Sequence, residues 1–107
     1  MNSLNQKILI VDDIEDNRFT LERRLSRNGY TAISQADCGK KALELVKVES
    51  FDLILLDLMM PDISGLDVLK TLKADPKSRS IPVVMVTAAD EIETTAECIS
   101  NGAEDYI

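Results

Sequence analysis

Three aspartates stand where apolar runs stop, and carboxylates so placed could hold a cation or accept a phosphoryl group. Ile8-Leu9-Ile10-Val11 runs directly into Asp12-Asp13, and Leu53-Ile54-Leu55-Leu56 runs directly into Asp57. A short, continuous apolar run bounded by polar residues predicts a strand buried on both faces, as in a parallel sheet. In an open α/β sheet, ligands bind beyond the carboxyl ends of the strands, where the strand order reverses. If the two strands are neighbours there, the three carboxylates converge on one crevice. At ~5 Å and an effective dielectric of ~20, each like-charged pair costs roughly 3 kcal/mol. A fold gains no stability from that arrangement, so a cation, a proton or a phosphoryl group is the expected occupant. A carboxylate that attacks phosphorus must approach a dianion, which calls for charge neutralisation. Mg2+ suits the task, because it takes oxygen ligands, keeps several waters and uses one or two carboxylates plus phosphate oxygens.

The elements that must position these residues are legible along the chain. Strand-like runs fall at 8–11, 31–35, 52–57, 82–87 and from Asp105 onward. Helical spacing lies between them. The first helix is expected after Asp16-Asn17, with Leu21 and Leu25 four apart, and stops at Asn28-Gly29. The second begins near Gly39, with Ala42, Leu45 and Val46 on one face. The third follows Ser64-Gly65, carries Leu66, Leu69 and Leu72 at helical spacing, and ends at Asp75-Pro76. Pro61 and Gly65 fix the turn before it, and Ser64 is placed to cap it. The fourth runs from Asp90, with Ile92, Ala96 and Ile99 inward, to Asn101-Gly102. This alternation predicts βαβ units, a parallel sheet and right-handed crossovers. The first and third strands are apolar throughout and therefore central. Tyr30 to Gln35 is mixed and belongs at an edge. Val83-Val84-Met85-Val86-Thr87 is apolar and ends in a hydroxyl. Strands one and three side by side give the flavodoxin-like doubly wound order 2-1-3-4-5, with the switch point between them.

Composition narrows the function classes. A length of 107 residues suits one domain, and 45% hydrophobic residues suffice for a core. No stretch approaches the ~20 apolar residues needed to cross a membrane, and the start does not read as a signal peptide. The expectation is a soluble, cytoplasmic protein with no membrane partner. Cys38 and Cys98 read as buried or half-buried thiols and not as a disulfide framework. The absence of histidine removes a Ser-His-Asp triad, a Cys-His pair and a histidine-based zinc site. The net charge of -7 is uneven: residues 51–107 carry four basic and eleven acidic side chains. That field disfavours direct nucleic-acid binding.

Four motifs carry a family resemblance: Asp12-Asp13; Leu56-Asp57-Leu58-Met59-Met60-Pro61-Asp62-Ile63-Ser64-Gly65; Thr87-Ala88; and Gly102-Ala103-Glu104-Asp105-Tyr106. In this order and spacing, across essentially the whole chain, they resemble the receiver domain of two-component response regulators. The resemblance implies that Asp57 is the phosphoacceptor. It implies that Mg2+ is bound directly by Asp13, Asp57 and the backbone carbonyl of Met59, and through water by Asp12. Thr87 would donate its hydroxyl to a phosphoryl oxygen, Ala88 would leave the pocket mouth open, and Tyr106 would swing inward as Thr87 moves. Three of these features also have a purely structural reading. Asp12-Asp13 could be an acidic pair at a helix start, Thr87 a turn cap, and Tyr106 a half-buried edge aromatic.

One expected part is missing. In the family a Lys-Pro pair ends the fifth strand and a fifth helix follows, whereas this sequence stops at Ile107. No residue is therefore assigned as the catalytic lysine; Lys70, Lys73 and Lys77 belong to the third helix and the loop after it. The expectation is a receiver domain, 1–107, incomplete at its C-terminus, with an output domain beyond it or a neighbouring chain completing it. Self-association or reduced stability would follow, because Leu9, Val11, Leu21 and Leu25 would lose cover on the sheet face beside the first helix.

The functional expectation is a phosphorylation-operated switch. It would take its phosphoryl group from a sensor histidine kinase or phosphotransfer protein and catalyse only its own phosphorylation and dephosphorylation. The alternative is a receiver-like interaction module that is never phosphorylated. A flavodoxin-like cofactor carrier would need a Gly- or Ser/Thr-rich loop where Asp12-Asp13-Ile14-Glu15-Asp16 stands. An aspartyl phosphatase of the dehalogenase type would want an aspartate where Met59 stands.

Overall fold

Two apolar runs decide the centre of the fold. Ile8–Val11 forms β1, all of it buried, and Leu53–Asp57 forms β3. The computed structural model describes residues 5–58, 60–86, 102–103 and 105–106. Between β1 and β3 run α1 (Glu15–Arg27), β2 (Ile33–Ala36) and α2 (Gly39–Val48). After β3 come α3 (Gly65–Ala74), β4 (Val83–Val86) and β5 (Asp105–Tyr106). The strands pair in parallel in the order β2-β1-β3-β4-β5. The flavodoxin-like order is thus present, with β1 beside β3 and the mixed second run at the edge. The fourth helix expected over 90–101 lies outside the described residues. Gly102 has φ of +105°, a left-handed conformation that suits the glycine expected at that helix's end.

Helix starts differ from expectation in one instructive place. α1 opens at Glu15, earlier than the expected start after Asp16-Asn17. Its N-cap residue, Ile14, offers no side-chain acceptor. The turn is set instead by Asp12, whose Oδ1 accepts a hydrogen bond from the Ile14 N–H at 2.9 Å. Glu15 and Asp16 then occupy the first turn, where the helix dipole favours acids. α3 starts as expected: the Ser64 Oγ accepts from the Asp67 N–H at 3.2 Å. Replacing Ser64 with alanine is expected to destabilise the protein by about 1 kcal/mol. The check is a lower urea midpoint with an unchanged slope; an unmoved midpoint would show that the cap is idle.

Side chains alternate across a strand, so each face of the sheet has its own core. Leu9, Val11, Ile54, Leu56, Val83 and Met85 pack with Ala42 of α2 and Val68, Leu69 and Leu72 of α3. Ile8, Ile10 and Leu55 form the other core, where Leu21 and Leu25 of α1 pack. This corrects the expectation that Leu9 and Val11 share a face with Leu21 and Leu25. Parity puts Ile8 and Ile10 there, and Leu9 and Val11 are fully buried on the opposite side. On the α1 side Leu53, Val84 and Val86 remain half-buried.

The end of α3 is fixed by two polar contacts. The buried Ser78 Oγ donates to the Leu72 carbonyl at 2.7 Å. Lys73 Nζ donates to the carbonyls of Arg79 at 3.1 Å and Ile81 at 2.9 Å. Its aliphatic stem lies against Gly102, where a Cβ would meet Lys73 Cγ, Cδ and Cε at 3.1–3.3 Å. Lys73 therefore serves the connection between α3 and β4.

Candidate functional site

The register of the central strands brings the aspartates together. Val11 of β1 pairs with Leu56 of β3, so Asp12 and Asp57 are the next residues on adjacent parallel strands. Carboxylate oxygens of Asp12, Asp13 and Asp57 all lie within 4.8 Å of one another. Asp12 is buried, Asp57 half-buried and Asp13 exposed, so the cluster opens to solvent on one side. It sits beyond the carboxyl ends of β1 and β3, on either side of which the order runs to β2 and to β4. That is the switch point at which open α/β sheets bind ligands.

The donor set favours a hard cation. It consists of oxygen alone, the preference of Mg2+ and Ca2+ over softer metals. Oxygens on an octahedral Mg2+ at ~2.1 Å stand about 3 Å apart when adjacent and about 4.2 Å apart when opposite. A spread of up to 4.8 Å needs only a small closure to match. The residues present therefore fit the ion: three carboxylates, one buried, one half-buried and one exposed, would supply the oxygen ligands. Asp12 already commits Oδ1 to the Ile14 N–H.

Two residues that sequence reasoning did not single out for the site hold its backbone. The first is Arg18 of α1. Its Nη1 donates to the Asp12 carbonyl at 2.8 Å and its Nε donates to Gln35 Oε1 at 3.0 Å. One guanidinium thus ties the start of α1 to the ends of β1 and β2, and brings a positive charge beside the acidic cluster. Its place in the second turn of the helix that follows Asp12-Asp13 was the available signal. The second is Asp62, in the loop between β3 and α3. Its Oδ1 accepts from the Gly39 N–H at 3.2 Å and its Oδ2 from the Lys40 N–H at 3.0 Å. Backbone N–H groups, first that of Lys40, then that of Ile63 and more weakly that of Gly39, hold its pKa down from 3.8 to about 2. No local sequence pattern announces a partner more than 20 residues away.

The loop itself needs a glycine at its far end. The Gly65 N–H donates to the Leu58 carbonyl at 2.9 Å. A Cβ on Gly65 would overlap the Asp57 carbonyl oxygen and stand 2.8 Å from Leu58 Cα. Of the remaining expected site residues, Met59, Thr87 and Ala88 lie outside the described residues. Tyr106 is placed on β5, its Cα paired with Met85 of β4. Lys73 is engaged with the Arg79 and Ile81 carbonyls.

Fold, switch-point cluster and motif order define a class, the response regulator receivers of two-component systems. The family model for the response regulator receiver domain matches residues 8–107, and the chain belongs to that family. It is 40% identical over 104 residues to the response regulator PleD of Caulobacter vibrioides, covering 97% of this chain and 23% of PleD. It is 37% identical over 103 residues to the chemotaxis protein CheY-3 of Vibrio cholerae, covering 96% of this chain and 79% of that protein. The chain thus spans about a quarter of the length of PleD. Among solved structures, it resembles the N-terminal domain of a response regulator receiver protein from Methanoculleus marisnigri JR1. That match has a TM-score of 0.87 at 36% identity, over 95% of this chain and 82% of the other. The Francisella response regulator 1452 receiver domain gives 0.86 at 31%, over 96% and 83%. Receiver domains are regulatory phosphoacceptors, and this chain carries the acidic pocket of the class.

Proposed function

We propose that Asp57 accepts a phosphoryl group from the phosphohistidine of a sensor histidine kinase or phosphotransfer protein. The observation that carries this is the convergence of the Asp12, Asp13 and Asp57 carboxylates within 4.8 Å at the switch point. An Asp57 oxygen forms the new bond to phosphorus as the bond to the donor's imidazole nitrogen breaks, and that nitrogen keeps the electron pair. Mg2+, when bound, supplies the charge neutralisation that lets a carboxylate approach a phosphoryl dianion. Asp13, Asp57 and the Met59 carbonyl would hold the ion directly, and Asp12 would reach it through water. The commitment of Asp12 Oδ1 to the Ile14 N–H supports that division of labour. Arg18 holds the Asp12 carbonyl and so steadies the acidic turn.

Downstream of the transfer, Thr87 donates to the phosphoryl group, Ala88 keeps the mouth of the pocket open, and Tyr106 follows Thr87 inward. The acyl phosphate then biases a two-state surface. The receiver domain itself catalyses only its own phosphorylation and dephosphorylation. This reading places it in the cytoplasm, where its kinase would work. Among the described residues no helix is long and apolar enough to cross a membrane. The natural protein is expected to couple the domain 1–107 to an output segment, a reading supported by the much greater length of PleD.

The test is chemical. The full-length natural protein is incubated with acetyl phosphate, with and without Mg2+, then digested and mapped by mass spectrometry. The expected result is one hydroxylamine-sensitive phosphoryl group, on Asp57, that requires Mg2+. A phosphoryl group mapped to another residue would move the nucleophile. No modification, from acetyl phosphate or from any cognate kinase, would favour a receiver-like interaction module.

A further inference from the structure

The loop after the phosphoacceptor is held at both ends and once in the middle. At its start and finish, the Gly65 N–H bonds the Leu58 carbonyl at 2.9 Å, and the missing Gly65 side chain lets α3 close onto the Asp57 backbone. In the middle, Asp62 spends both carboxylate oxygens on the first two amides of α2, Gly39 and Lys40. Helix and loop also touch directly there: a Cβ on Gly39 would stand 3.1 Å from Ile63 Cβ.

α2 has a cap of its own. Cys38 is its N-cap residue, and its Sγ accepts from the Lys41 N–H at 3.5 Å. The bonds from Asp62 therefore do more than finish a helix, because they join it to a loop from a different part of the chain. A charge-assisted pair of bonds at a helix N-terminus is favoured by both the open amides and the helix dipole. Only Leu58 to Pro61 separate Asp57 from this anchor. Without it, the described part of the loop would rest on the Gly65–Leu58 bond and on the packing of Met60 and Ile63 against the core.

We propose that Asp62 is a positioning residue for the carboxylate site, strapping the loop 58–64 to α2 so that the backbone after Asp57 is set for the cation before it arrives. This rests on the reading that Mg2+ binds at Asp13 and Asp57. Asp62 acts through the loop and does not touch the ion. Groups that orient direct ligands typically change metal affinity by about 10–100-fold when removed.

The test compares Mg2+ dissociation constants of the full-length protein, titrated by amide NMR, with melting temperatures measured in chelator. Four variants are needed: Asp62→Ala, Asp62→Asn, Cys38→Ala and Asp13→Asn. Asp62→Ala is expected to raise the dissociation constant about tenfold and to move the Gly39 and Lys40 amide resonances upfield. Asp62→Asn keeps one acceptor oxygen and is expected to fall between it and the wild type, which also serves if the alanine variant fails to fold. Cys38→Ala removes a cap from the same helix without touching the strap, so it should lower the melting temperature and leave Mg2+ affinity unchanged. A fall in melting temperature for the Asp62 variants with wild-type affinity would reduce Asp62 to a helix cap and overturn the proposal. So would a loss of affinity in Cys38→Ala equal to that in Asp62→Ala. Should Asp13→Asn bind Mg2+ like the wild type, the cation site itself is misassigned and the strap proposal falls with it. Weakened Asp13→Asn beside unaffected Asp62 variants would sink the strap alone.

Discussion

A Gly65→Ala variant is expected to lose about 2–3 kcal/mol of stability and most of its Mg2+ affinity. Helix propensity alone argues the other way, since alanine exceeds glycine by about 1 kcal/mol inside a helix. The contact decides the sign. The new methyl would overlap the Asp57 carbonyl oxygen and press on Leu58 Cα at 2.8 Å, and both are backbone atoms that cannot rotate aside. Relief requires α3 to back away from β3, which breaks the bond from the Gly65 N–H to the Leu58 carbonyl. Overpacking of this kind typically costs 1–3 kcal/mol, and a lost buried hydrogen bond roughly another 1. Gly39→Ala is the internal control. Its methyl would meet Val68 Cγ2 at 2.8 Å and Ile63 Cβ at 3.1 Å, mostly side-chain atoms that can shift. A milder loss is expected there. Equal urea midpoints for the two variants would show that the backbone contact at Gly65 is not limiting.

Asp57→Asn is expected to abolish phosphorylation and, in the absence of divalent ions, to make the protein more stable. Two charged oxygens 4.8 Å apart repel by about 1 kcal/mol in water and about 3 kcal/mol at an effective dielectric of ~20. Asp57 is half-buried and faces two such partners, so about 2–6 kcal/mol of repulsion bounds what its neutralisation can yield. Added Mg2+ should reverse the order. At a hundredfold excess over the dissociation constant, a ligand that binds only the folded state stabilises it by about 2.7 kcal/mol. The wild type gains this and the variant gains little, so their melting curves should cross between chelator and saturating Mg2+. Curves that keep the same order in both conditions would mean that the three carboxylates do not share an ion.

The cluster was legible in the sequence because it depends on features that short stretches can encode. Ile8–Val11 and Leu53–Leu56 are apolar without interruption, which marks them as central, and two central strands at a switch point bring their terminal acids together. The same uniformity hid the faces. A strand that is apolar on both sides has no alternation to show which residues meet α1, so Leu9 and Val11 were assigned to the wrong core. The start of α1 is not legible locally, because its turn is organised by Asp12, a residue that also belongs to the carboxylate cluster. Arg18 and Asp62 were missed for a related reason. Each makes its defining bonds to backbone groups or side chains that become neighbours only once the sheet has formed.

The clip made by Lys73 gives the molecule a built-in chemical reporter. An ammonium bonded to two carbonyls, on a half-buried side chain whose stem lies against Gly102, is not a free amine. Lys40 and Lys41 are exposed at the start of α2 and should be acylated quickly. Lys73 should be acylated late, at a rate set by how often the segment from α3 to β4 loosens. Mass-spectrometric labelling of the unaltered protein would then read the opening of that half of the sheet as a time course at one side chain. Acylation of Lys73 as fast as that of Lys40 would mean that the two carbonyl bonds do not persist in solution.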